Sequence, residues 1–176
     1  MNKKFHLLII IIITLSLLCS FSYAQGLSSS DIQSSLTGYE EPGYKFIEKT
    51  DDNMWKVLYS RPGWDFGWEV IITATNPNPE NSFIVIGTTV TSTENMSYNL
   101  MLALLDENSF DTNPGSFSIF KDGDTYTVQY AIKIPQTLMN KNVLIEAIGF
   151  VAGYSNSKYK KLEYINSQES SGSGSK

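Results

Sequence analysis

The 176 residues suffice for one compact domain, and 13 Lys and Arg stand against 18 Asp and Glu. An acidic balance argues against nucleic acid as a partner, because phosphate contacts need clustered cations. His6 and Cys19 are the only histidine and cysteine, and both lie near the N-terminus.

Lys3 and Lys4, the apolar run Leu7 to Leu18 and the small-residue end Ser22-Tyr23-Ala24 follow the order of a secretory signal peptide. Residues 1–24 are expected to be removed before Gln25. The apolar run is shorter than the roughly 20 residues of a membrane span, so no stable span is expected after cleavage. Leu18 stands where lipoprotein signals carry a small residue, which argues against lipid attachment at Cys19. The exported chain then has neither His nor Cys. That excludes a disulfide, zinc sites built on imidazole or thiolate, and Ser-His-Asp or Cys-His catalysis. Loss of Lys3 and Lys4 leaves 11 cations against 18 acids, a formal charge of −7. The protein is read as exported, to the periplasm or beyond the cell.

Asp31 and Ile32 open a short helix that Gly38 would end. Strand-like runs follow at Tyr44–Lys49, Met54–Arg61, Trp68–Thr75 and Phe83–Thr91, separated by Asp51-Asp52-Asn53, Pro62-Gly63 and a loop from Asn76 to Asn81. These short spacings predict an antiparallel meander. From Thr93 to Asn108 the period changes. Met96, Leu100, Met101, Leu104 and Leu105 fall at helical spacing, with Ser92 or Thr93 as N-cap and Asn108 as a left-handed stop. Phe117–Phe120 and Thr125–Ile134 flank the tight turn at Asp122-Gly123. In the second arm Tyr126, Val128, Tyr130, Ile132 and Ile134 share one face, so one side is buried and one wet.

A last helix is predicted from about Asn140 to Lys161, with Val143, Leu144, Ala147, Ile148, Val151 and Tyr154 as its apolar stripe. Lys158, Lys160 and Lys161 would cover its last turn. One domain is expected over 25–165, followed by a flexible Ser/Gly tail over 166–176. The fold class is α+β: an antiparallel sheet of about six strands with helices packed on its one apolar face.

The helix end Leu104-Leu105-Asp106-Glu107-Asn108 is followed by Phe117-Ser118-Ile119 and the turn Asp122-Gly123-Asp124. A strand closes at Ile134-Pro135, and a helix carries Leu138, Leu144, Ala147, Ile148 and Val151 to Tyr159. In this order the run from Trp55 to Tyr159 resembles the YbjN-like and type III secretion chaperone-like superfamily. The resemblance implies a small α+β domain that often dimerises and, among the secretion chaperones, holds partly unfolded client segments. It implies no catalytic motif. The predicted signal peptide departs from the secretion chaperones, which act in the cytoplasm.

Trp55, Tyr59, Trp64, Phe66 and Trp68 form the densest aromatic group. They read either as a hydrophobic face for a peptide, a glycan or a second subunit, or as core residues with Trp64 and Phe66 capping a hairpin. Trp64, placed in a turn, is the first choice for an exposed anchor. Asp106, Glu107, Asp111, Asp122 and Asp124 lack metal-loop spacing and read as helix-end and turn residues. Asn95-Met96-Ser97 matches a glycan-acceptor pattern by chance at a helix start. No cofactor, no metal and no enzymatic activity is expected. The expected function is a binding or chaperone-like module that holds a protein segment or self-associates through an apolar sheet face; the alternative is an accessory subunit of an envelope complex.

Overall fold

A computed structural model of the chain describes residues 26–76, 82–109 and 114–170. The predicted signal peptide, most of the loop after Asn76, Asp111 and residues 171–176 lie outside the described residues.

Ser28 opens helix α1 (Ser29–Thr37) with a capping box, its hydroxyl taking the Asp31 amide while the Asp31 carboxylate takes the Ser28 amide. Strands β1 (Tyr44–Asp51), β2 (Met54–Tyr59), β3 (Trp68–Ala74) and β4 (Phe83–Thr93) follow as the expected meander. Helix α2 (Tyr98–Ser109) then leads to β5 (Gly115–Asp122) and β6 (Thr125–Pro135), and helix α3 (Lys141–Ser170) ends the described chain. The sheet is open, fully antiparallel and six-stranded, in the order β1-β2-β3-β4-β6-β5. With three α-helices among the described residues it is the α+β fold expected from the sequence. No helix among the described residues is long and apolar enough to cross a membrane.

Alternation decides the two faces. Trp55, Val57, Val70, Ile72, Ile84, Ile86, Val128 and Tyr130 are buried, and α3 packs over β2, β3, β4 and β6. The α3 residues that meet them are Leu144, Ile148, Val151, Ser155, Tyr159 and Leu162, spaced three or four apart along one stripe. Where β3 and β4 stop pairing beyond Ile71 and Gly87, the buried Thr88 hydroxyl donates to the Glu69 carbonyl at 2.6 Å and closes the ladder. Among the described residues the opposite face of the sheet carries no helix.

Several sequence expectations are corrected here. α3 does not end near Lys161 but runs to Ser170, so residues 166–170 are helical rather than tail. Asn166 anchors that last stretch: its amide oxygen takes the Ser97 amide at 2.8 Å and its nitrogen donates to Thr93 and Asn95. The N-cap of α2 is neither Ser92 nor Thr93, because β4 extends to Thr93. Ser97 takes that place, its hydroxyl accepting from the Leu100 amide at 3.0 Å. Asn95-Met96-Ser97 thus precedes the helix. Asn108 is not a left-handed stop, since no non-glycine residue among those described has positive φ. Its side chain instead accepts from the Phe117 amide at 2.6 Å and donates to the Phe117 carbonyl at 2.9 Å.

α2 also faces differently from the reading of its apolar residues as one stripe. Leu100 and Leu104 are buried, but Met101 and Leu105 point to solvent with Tyr98 and Leu102. The helix therefore has a second apolar row, at positions i, i+3, i+4 and i+7, that is exposed among the described residues.

Candidate functional site

The aromatic group resolves into a core part and a surface part. Trp55, Tyr59 and Trp68 are no more than 4 % exposed, so they are core residues and the reading of them as an exposed binding face is corrected. Burial of two indoles requires partners for their N–H groups. Trp55 Nε1 donates to Gln33 Oε1 of α1 at 2.7 Å, and Trp68 Nε1 donates to Asn156 Oδ1 of α3 at 3.2 Å. Trp64 is half-buried against the core, its ring 6.0 Å from that of Tyr59. Phe66, not Trp64, is the exposed member, and its ring lies 5.0 Å from those of Trp68 and Tyr159.

The β2–β3 loop is tied down by charge. Asp65 pairs with Lys160 at 2.7 Å and accepts from the Tyr159 hydroxyl, which with the Lys160 bond first holds its carboxyl below the ordinary range. Lys158 and Lys161 are likewise occupied. Both reach Glu107 of α2, at 2.7 and 3.3 Å, and Tyr154 donates to the same carboxylate at 3.0 Å. Glu107 thus locks α2 to α3 and is neutralised by lysines. The expectation that these lysines cover a helix end is corrected by the length of α3. Among the described residues no group of carboxylates has metal-site geometry.

Three surfaces remain with the character of contact sites. The first is the uncovered sheet face. Phe83, Val85, Gly87 and Thr89 of β4 alternate with the buried set, beside Ile71 and Thr73 of β3 and Gln129 and Ala131 of β6. A depression of 250 Å³ lies there, lined by Met54, Ile71, Val85 and Ala131 among others. Its floor is Gly87. A Cβ at this position would stand 3.0 Å from that of Ala131, so side chains larger than hydrogen fill the hollow. Lys56 beside it is paired with Glu48 and Glu69, which leaves the hollow itself uncharged.

The second is the outer edge of β5 with the exposed row of α2. Tyr98 and Leu105 are 63 % and 66 % exposed, and Ile119 and Phe120 on β5 are also open. Both backbone groups of Phe117 point outward to Asn108, so by alternation those of Ile119 and Lys121 point outward too. The other edge, β1, is broken by two bulges and carries Lys45, Glu48, Lys49 and Asp51 along its length, the usual protection of a free edge.

The third is a cleft of 490 Å³ between the β2–β3 turn, the α1–β1 connection and α3. Tyr59 lies on its floor, and Arg61, Tyr39, Glu41, Glu146 and Phe150 stand around it. Gly149 of α3 gives the room. A Cβ there would meet the Tyr59 hydroxyl at 3.2 Å. Neither Arg61 nor this cleft stands out in the sequence. The available signals were the chain's only arginine and two glycines four apart on a helix.

No protein-family profile matches the chain, and no curated protein matches it.

Proposed function

We propose that this protein is an exported, non-enzymatic binding module of chaperone-like kind, which holds an extended segment of another polypeptide on its uncovered sheet face. The observation that supports this reading is the uncharged apolar hollow over Gly87 in the middle of a sheet that is otherwise helix-covered on one side only. Strand period fits the occupant. A segment with apolar residues at alternate positions lays one side chain into the hollow and its neighbours over Ile71 and Val85. The chaperone-like resemblance of the sequence points the same way.

The test is binding of a permanently unfolded probe, a reduced and carboxymethylated protein, measured by fluorescence anisotropy. Ile71→Glu places a carboxylate in the hollow without touching the helix-covered core. It is expected to weaken binding by about tenfold or more while the unfolding midpoint stays within a few degrees. Equal binding by both proteins would remove the sheet face as the site.

The β5 edge supports a second contact, with another copy of the chain. Pairing about a two-fold axis at Phe120 sets Ile119 against Lys121 and Ser118 against Asp122, so no like charges meet. Pairing centred on Ile119 would need Phe117, whose backbone Asn108 already holds. Sedimentation equilibrium is expected to show a dimer, and Leu105→Asp on the exposed row of α2 is expected to shift it to monomer. A monomeric parent protein would end this assignment.

A further inference from the structure

We propose that the cleft at Arg61 is a binding site for a neutral oligosaccharide, separate from the protein-binding surfaces. The guanidinium of Arg61 is held in place by its floor: Nε and Nη2 donate to the Tyr59 hydroxyl oxygen at 3.2 and 3.0 Å, and the phenol itself is buried. Two of its five N–H groups are used there, which leaves three for a ligand. Both donors also occupy the Tyr59 oxygen, so the phenolic hydrogen is left to donate into the cleft.

Acceptors face these donors. Glu41 and Glu146 line the same cleft, and Arg61 makes no ion pair with either among the described residues. One Glu41 oxygen takes the Tyr39 hydroxyl, which keeps that carboxylate turned along the rim. This mixture selects by charge. An anion drawn to Arg61 meets two carboxylates, and a cation drawn to the carboxylates meets a fixed guanidinium. A polyhydroxylated neutral ligand meets neither penalty, since each hydroxyl both donates and accepts.

The apolar side of the cleft suits the same ligand. Phe150 and Tyr154 stack at 5.9 Å with an angle of 20° between rings, and Phe150 is 40 % exposed. A half-open aromatic face beside directed polar groups takes the C–H face of a sugar ring. Length is indicated by a neighbouring hollow of 430 Å³ that shares Tyr39 and Glu41 with the cleft and continues toward Pro42 and Lys45. Tyr39 stands between the two, edge-on to Tyr44 at 4.9 Å. Two adjoining hollows with a ring between them fit a chain of linked sugars better than one ring.

The test uses maltotriose, cellotriose and triacetylchitotriose, with inorganic phosphate, diglycine and tetramethylammonium as anion, zwitterion and cation. Because the chain has one arginine, its Nε–H gives a single cross-peak in a nitrogen–proton correlation spectrum. At least one trisaccharide is expected to shift that peak saturably at about 10 mM or below, with little dependence on salt. Phe150→Ala, followed at the same peak, and Arg61→Lys, which lacks that peak and is followed at the backbone amides of Gly149 and Gly153 in the cleft lining, are each expected to weaken that binding about tenfold with the rest of the spectrum unchanged. Arg61→Lys keeps the charge and loses the fork. No shift with any of the three sugars would overturn the proposal. So would saturation by phosphate, diglycine or tetramethylammonium alone, or sugar binding that neither variant weakens.

Discussion

Replacing Trp55 by alanine is expected to cost about 4 kcal/mol of folding stability, the largest effect of any single aromatic in the chain. Trp55 is fully buried in the middle of β2 and is among the largest fully buried side chains. Its removal deletes apolar contact within the buried cluster and leaves a cavity that a sheet backbone cannot collapse to fill. It also deletes the indole bond to Gln33, one of the few links from the sheet to α1. For a domain of this size the loss corresponds to about 12 °C in the unfolding midpoint. Trp64→Ala, by contrast, removes a half-buried ring at the surface and is expected to cost less than about 1.5 kcal/mol. Urea unfolding followed by far-ultraviolet circular dichroism separates them. Equal losses from both substitutions would contradict the division of the aromatic group into core and surface.

Glu107→Leu is expected to destabilise the protein by about 3 kcal/mol and to loosen α2 from α3. Burial by itself would raise the Glu107 carboxyl, but the bonds from Lys158, Tyr154 and Lys161 together outweigh it and hold the group below its ordinary 4.5. A carboxyl held low in the folded state stabilises fully above its unfolded value and loses that share as pH falls through the folded one. Stability of the parent protein is therefore expected to drop, as pH falls below the ordinary 4.5 and through the lowered folded-state value, more steeply than that of Glu107→Gln. Glu107→Gln keeps the shape and an acceptor for Tyr154, so it isolates the charge. Parallel acid limbs in the two proteins would mean that Glu107 is held by packing alone.

The sheet was legible in the sequence because each strand states its own orientation. Tyr126 to Ile134 alternate without a break, and turn residues sit at every reversal, so hairpin partners follow from chain order. Helices carry less. Met101 and Leu105 fit the same 3.6-residue period as Leu100 and Leu104, and a helix with apolar residues on two sides gives no sign of which row is covered. Glu107 is harder still. A carboxylate at a helix end reads as solvated, and only the tertiary packing of α3, some fifty residues on, brings Lys158 and Lys161 to it. The end of α3 is hidden in the sequence for a related reason. Ser167 and Gln168 suggest a tail, while Asn166, three bonds into the loop before α2, holds the helix at that point. The aromatic group could be found but not sorted, since Trp55 and Trp68 differ from Trp64 and Phe66 only in which side of a strand or turn they occupy. The cleft was out of reach, because its lining is gathered from three separate stretches of chain.

The Asn108 side chain has an effect on assembly size. By holding both backbone groups of Phe117 it shortens the usable edge of β5 to the stretch around Ile119 and Lys121. A contact so short and two-fold uses the same stretch on both copies and leaves none free. With β1 bulged and charged at the far side, there is no second edge from which a ribbon could grow. On the proposed pairing, growth stops at a pair. Asn108→Leu would free Phe117 and lengthen the sticky edge, and the expected outcome is slow fibril formation in a protein that otherwise stays dispersed.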